Sequence, residues 1–364
     1  MTEVFRIRSD DNDRRGILNM SPFEELRIDA PPFAIGNTPV QQITVTITGV
    51  THTISIKEER LNEFGSMKDR VAWTLLSHAL RSGEIKEGDL VVDSSSGNYG
   101  YALSNIAKKL NIRCAIVSSN YISEFNKNGI MKAGAEMLIA DEAGGGSPHQ
   151  ARAKLAREVS ENNNGFFLDQ YNNSLNPKCH EIWTAPESLS NVEYDACFIC
   201  SSSGGSASGF SRYINRTKLK TKLYVVEPQS SACFFVPSQK LEESLFIPGF
   251  GSQKPSAFSP LSPFADVIRL SQAQTLAAFN VFLEQKIADV GISGAGAILG
   301  AIHWLAVQED SKDVICICAD GNIRYRDEID SKYMKRVDEN KYAAYKNGLD
   351  NILSRCNIST YTQH

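Results

Sequence analysis

Several things this chain lacks narrow its identity before any motif does. No uninterrupted apolar stretch approaches the roughly 18 residues needed to span a bilayer, and the charged start MTEVFRIRSDDNDRRG has no apolar core of a secretory signal. A cytoplasmic, soluble protein without a membrane partner is expected. No basic block stands out, and 42 acidic against 38 basic side chains leave a net charge of −4. Such a surface does not attract nucleic acid, which is therefore not expected as a partner. Metal-binding patterns are also missing. The six histidines form no HxxxH pair, and the CxxC of Cys197 and Cys200 has no second thiol pair or nearby histidine to complete a zinc site. Several of the eight cysteines lie in apolar runs such as DACFIC and VICICA, where a reduced thiol acts as a small buried hydrophobe. No glycine loop is followed by the Lys-Ser/Thr of a triphosphate site, and no GxGxxG follows a strand.

What is present is an ordinary globular balance, 42% hydrophobic and 22% charged, in 364 residues, a length that suits two cores better than one. Residues 1–35 are polar and turn-rich and read as an N-terminal extension. TVTITGV and HTISIK alternate apolar and polar positions, the period-two signature of a β-hairpin. From Lys68 onward strands alternate with amphipathic helices. One series runs from DRVAWTLLSHALRSG through DLVVDS, YALSNIAKKLN and CAIVSS to HQARAKLAREVSENN. A second runs from ACFICS through FSRYINRT, LYVVEP, LAAFNVFLEQ and AILGAIHWLAVQ to VICICA. Repeated alternation implies mostly parallel sheets with helices on both faces, so the expected fold is α/β with two three-layer domains and a cleft between them. The boundaries expected are 36–65 for strands joining the larger C-terminal domain, 66–185 for the N-terminal domain, 186–330 for the C-terminal domain and 331–364 for a helical tail.

Three segments carry chemistry. In VVDSSSGNYGYAL a buried strand runs into Ser95-Ser96-Gly97-Asn98-Tyr99-Gly100 and a helix follows. The loop either seats an anion at the positive helix end or is a polar turn whose serine caps the helix. CFICSSSGGSASGF repeats that architecture around Ser202-Ser203-Gly204-Gly205-Ser206, where amides and hydroxyls could wrap one phosphate or merely form a flexible turn. In FGSMKDRVAW, Lys68 sits in a glycine-bounded turn just before a helix. Most lysines are solvated surface residues, but partial desolvation there would lower its pKa and free the amine for a carbonyl.

Together these segments resemble the cysteine synthase (O-acetylserine sulfhydrylase-like) family of fold type II, tryptophan synthase β-like, pyridoxal phosphate enzymes. Gly65-Ser66-Met67-Lys68-Asp69-Arg70 matches the family's glycine-serine stretch followed by KDR. Ser95 to Gly100 stands for TSGNTG, and Ser202 to Ser206 for GTGGT. GNTP at 36–39, DQYNNSLNPKCH at 169–180, VVEP at 225–228, Gly291-Ile292-Ser293 and GNIRY at 321–325 follow in the family's order.

The resemblance implies pyridoxal 5′-phosphate held as a Schiff base on Lys68, which would also move the α-proton. Asn98 would bond the cofactor's ring hydroxyl, and Ser202, Ser203, Gly204, Gly205 and Ser206 would hold its phosphate. Ser95, Ser96, Gly97 and Tyr99 would line the substrate-carboxylate pocket, with Gln170 closing it. Asp320 would lie near the pyridine nitrogen, or else form a turn with Gly321. The reaction implied is β-replacement on an activated L-serine (O-acetyl or O-phospho) through an α-aminoacrylate, with sulfide or an amine as nucleophile, in a homodimer. Tyr99 in place of threonine, Ser202 in place of glycine and Gly294-Ala295-Gly296 in place of Ser-Gly-Ala depart from the pattern. They point to a relative that need not make cysteine. A serine or threonine deaminase or racemase, and a cofactor-binding regulator without catalysis, are the alternatives.

Overall fold

The computed structural model describes residues 21–95, 97–141, 148–234, 244–258, 266–353 and 357–358. Most of the extension before residue 21, Ser96, and the chain's end apart from 357–358 lie outside the described residues. Strands β1 (Val40–Ile47) and β2 (Val50–Glu58) form the expected hairpin. Its two-residue turn places Thr48 at φ 49° and Gly49 at φ 89°, the doubly left-handed geometry that matches strand twist.

The remaining strands are β3 (Leu90–Ser94), β4 (Arg113–Ser118), β5 (Glu136–Ile139), β6 (Phe166–Phe167), β7 (Ala196–Cys200), β8 (Lys222–Pro228), β9 (Asp266–Leu270), β10 (Asp313–Cys318) and β11 (Asn357–Ile358). They divide into a seven-stranded sheet ordered β11-β1-β2-β10-β7-β8-β9 and a four-stranded sheet ordered β5-β4-β3-β6. Pairing is parallel except where β1 meets β2 and β11. The central strands are apolar on both faces because helices cover both, so they read as continuous runs such as ACFIC rather than alternations. Ile292–Leu305 is apolar nearly all round and buried within the larger unit's core. No helix of the described residues is long and apolar enough to cross a membrane.

Three features escaped the sequence pattern. Strands β5 and β9 are short sheet edges, and β6 has only two residues, too few to show a period. The segment Leu175–Leu189, not read as helical, runs as α-helix, π-turn and α-helix in succession.

The two units are joined by a buried ion cluster at the base of the Lys68–Arg81 helix. The Arg70 guanidinium, fully buried, donates two bonds of 2.7 Å to Glu59 and two of 2.8 Å to Glu187. Lys57 Nζ, itself buried, donates to Glu187 at 2.7 Å and to the Thr38 carbonyl. Asp69, next to Arg70, fixes the turn by accepting from Phe64 N at 2.7 Å and from Ser66 Oγ at 3.2 Å. Arg70 thereby links segments far apart in the chain.

Candidate active site

The chemistry-bearing loops converge at the carboxyl ends of β3, β7 and β10, where open α/β sheets place their ligands. Lys68 opens its helix. The preceding turn is tied to the loop after β10 by Met67 N donating to Ala319 O at 2.8 Å and by a bridge between Ser66 and Asp320. Lys68 lies deep in the chain but is partly accessible. Burial pushes its ammonium down to about 8, with Cys179 the next, opposing influence. An amine at that level is substantially neutral near pH 8 and able to attack a carbonyl. His180, close enough to feel the Lys68 charge, is kept neutral by burial first and that charge second.

Asn98 begins the next helix, Asn98–Lys109. Its Nδ2 donates to Asp320 Oδ2 at 2.6 Å, and the same oxygen accepts from the Tyr325 hydroxyl. Asp320 is therefore no solvent-facing turn residue: it is 1% exposed, and burial raises its pKa. Asn98 Oδ1 and Asp320 Oδ1 are both buried without a partner. Such orphaned atoms are costly unless a ligand or water meets them, so this corner is built to receive a polar group.

The second anion loop follows β7. Gly204 takes φ 89° and opens the Gly205–Thr217 helix, and Ser203 Oγ accepts from Gly205 N at 3.3 Å. A Cβ on Gly204 would stand 2.1 Å from Ser256 Oγ, and one on Gly205 2.1 Å from Asn176 Oδ1. Both positions admit only glycine, which brings bare backbone amides to the helix's positive end. Ser256 and Asn176 brace the loop from outside. Asn176 donates to Gln170 O at 2.8 Å, and Ser256 donates to Ser203 O at 2.8 Å. Nothing in the sequence singled out Ser256, whereas Asn176 stands within the matched DQYNNSLNPKCH.

Two residues expected at the substrate carboxylate have other work. Ser95 Oγ accepts from Gly97 N at 3.2 Å and Gly100 N at 2.9 Å, so its hydroxyl serves the helix start, the capping alternative raised above. Tyr99 turns away from the pocket. It is 2% exposed and packs in the core of the smaller unit with Leu103, Cys114 and Ile116, its hydroxyl near the buried Asp93. Burial, then the Asp93 charge, raises its pKa. One residue further along a helix points about 100° away, so Tyr99 turns inward as Asn98 turns to the cleft. Tyr99→Thr is accordingly expected to lose about 3–5 kcal/mol of stability, the cost of a large-to-small core change. Urea unfolding measures it, and a loss below about 1 kcal/mol would return Tyr99 to the pocket wall. Gln170, 3% exposed, donates from Nε2 to Ser94 O at 2.8 Å and from its backbone to Asp93 at 3.1 Å. It thus anchors the end of β3 beside the Ser95 loop.

A lysine with a lowered pKa, a glycine-built amide nest and two orphaned polar atoms fit a phosphorylated aromatic aldehyde. Comparison with known proteins agrees. The profile of the family PALP, pyridoxal-phosphate dependent enzyme, matches residues 32–320. Cysteine synthase B of Escherichia coli is 27% identical over 293 residues, covering 79% of this chain and 91% of the relative. Cysteine synthase of Staphylococcus aureus is 25% identical over 299 residues, covering 80% and 93%. Among solved structures, O-ureido-L-serine synthase superposes with a TM-score of 0.72 at 21% identity, covering 87% of this chain and 100% of that one. The hydrogen sulfide-producing enzyme of Fusobacterium nucleatum gives 0.73 at 22%, covering 91% and 97%. At these identities the structural likeness is one of fold.

Proposed function

Because this chain belongs to the pyridoxal-phosphate dependent enzyme family, we propose that it catalyses β-replacement on an activated L-serine, with sulfide or an amine entering as nucleophile. The observation that carries this reading is the Lys68 amine, held down to about 8 by burial, on a turn bonded to the loop that positions Asn98. Pyridoxal phosphate, when bound, supplies the electron sink that lets a β-substituent leave.

The chain's own residues supply attachment, orientation and proton transfer. Lys68 Nζ would hold the cofactor and is the group to move the proton at the substrate's α-carbon. Ser203 to Ser206 and the first-turn amides of their helix hold the phosphate, with Ser202 at the entrance. Asn98 would offer its amide to the ring hydroxyl. Asp320 acts through Asn98 in this reading. By fixing Nδ2 it orients the amide, and its unpartnered second oxygen would be available to the ring nitrogen. Ser96, Gly97 and Gln170 stand as the candidates for seating the substrate carboxylate. Likeness in sequence to cysteine synthases and in fold to O-ureido-L-serine synthase supports a scaffold able to serve more than one nucleophile. The same resemblance supports a cytoplasmic homodimer, which sedimentation would test.

Incubating the holoenzyme with O-acetyl-L-serine or O-phospho-L-serine, plus sulfide or a panel of amines, should give a β-substituted alanine seen by mass spectrometry. Release of pyruvate and ammonia alone, with no adduct from any pair, would replace this reading with deamination.

A further inference from the structure

A cavity of about 720 Å³ lies beside the loop read as the phosphate site and is not lined by Lys68. Ser202 and Ser203 form part of its wall, whereas Lys68, Asn98 and Asp320 do not. Its charged lining has one sign. Arg152, Lys254, Lys332 and Arg336 all border it, as does His149, and no Asp or Glu lines it among the described residues. In a chain of net charge −4 this is a local reversal. The four cations come from separate stretches of the chain, one on the Pro148–Asn162 helix, one in the loop before β9 and two after β10. Clefts walled by one sign of charge focus the field and concentrate ligands of the other.

Arg336 and Lys332 are held by an aromatic pair and by a carbonyl with a more distant carboxylate, respectively. Arg336 lies over the rings of Tyr121 and Phe246, at 5.1 and 5.7 Å from their centroids. Lys332 donates to Ile122 O at 3.0 Å, with Glu328 at 3.6 Å. The Lys254 ammonium is lowered by burial, with no described carboxylate acting to raise it. His149 packs edge-on against Tyr171 at 4.0 Å, and its Nε2 is buried without a partner. Burial, then Arg152, then Lys254, brings its pKa down to about 4, so it is neutral at pH 7.

We propose that this cavity binds an anionic group, phosphate or carboxylate, carried by one of the two substrates into the reaction proposed above. Volume supports a substrate as its source, since 720 Å³ is room for a small molecule and far more than a sulfide ion requires. Two sources share the chemistry: the phosphate of O-phospho-L-serine, as leaving group, or the carboxylates of an amino-acid nucleophile such as L-glutamate.

The test compares wild-type holoenzyme with Lys254→Gln, Arg336→Gln and the double variant. The ratio of kcat/KM for O-phospho-L-serine over O-acetyl-L-serine reports the leaving group. The ratio for L-glutamate over sulfide reports the nucleophile. One ratio is expected to fall roughly tenfold or more in the double variant, and which one falls names the source. Both ratios unchanged would overturn the proposal. So would loss of pyridoxal absorbance with ratios intact, which would make these cations partners of the cofactor phosphate only. A second readout is independent of turnover. Inorganic phosphate should raise the His149 pKa in histidine-labelled NMR spectra of wild type, and less in the double variant. If no substrate pair reacts but this shift is seen, the cavity assignment stands and the reaction assignment falls. If the shift is absent, the cavity assignment falls whatever the reaction proves to be.

Discussion

Replacing Lys68 with alanine is expected to lower turnover by a factor on the order of 10²–10⁴, the range assigned to a positioned proton-transfer group. Covalent retention of the cofactor should disappear as well. The amine is unusual among the chain's lysines because burial holds it down to about 8, against 10.5 for a solvated side chain. The sign of the pH dependence follows from that. Below about 8 the group is an ammonium and cannot attack; above it the free amine dominates and further alkali adds nothing. Loading of the cofactor-free protein should therefore quicken about tenfold per pH unit up to about 8 and then level off. Stopped-flow absorbance measures this rate. Borohydride reduction and peptide mapping should place the pyridoxyl group on Lys68 in wild type and nowhere in the variant. A label on another lysine, or loading that keeps accelerating towards pH 10, would remove Lys68 from its role.

Arg70→Met is expected to cost about 3–5 kcal/mol, because it leaves carboxylates buried without their charge partner. Glu59 is fully buried, and its two oxygens meet Arg70 Nε and Nη2 at 2.7 Å. Glu187 would be left with Lys57. Arg70→Lys should lose less but not nothing, since an ammonium cannot reproduce four fork-like bonds to two carboxylates. Removing both charges in Arg70→Met/Glu59→Gln should recover part of the loss, and urea unfolding of all four proteins forms the comparison. A single-variant loss below about 1 kcal/mol would show the cluster to be dispensable. The acid side gives a second check. Burial pushes Glu187 up, but bonds and charge from Arg70, then Lys57, outweigh it and hold the carboxyl near 2 against 4.5 when free. Its folded pKa is depressed, so its contribution is whole above about pH 4.5 and is lost as pH falls towards 2. Arg70→Met should flatten that part of the stability profile.

Much of this protein was determined by sequence alone. Burial on both faces shows as uninterrupted apolar runs, so β3, β4, β7, β8 and β10 are legible as strands. Alternation reveals the β1–β2 hairpin, where Thr48 and Gly49 complete the turn. The lysine turn and both serine-glycine loops are local features too, because strand ends, helix starts and glycine spacing are written in consecutive residues. Tertiary structure decided the rest. Whether Tyr99 faced the cleft or the core depended on what packed against its helix, and the core cluster with Leu103 and Ile116 took it. Ser95 could serve a ligand or the backbone, and the unpaired amides of Gly97 and Gly100 lay nearer. Arg70 found Glu59 and Glu187, 11 and 117 positions away. The cations around the large cavity are separated by as much as 184 positions, from Arg152 to Arg336. Spacing along a chain carries information over a few helical turns or one strand. Beyond that, only the packing of whole elements decides which charges meet, and here it gathers four of one sign beside the loop read as a phosphate site.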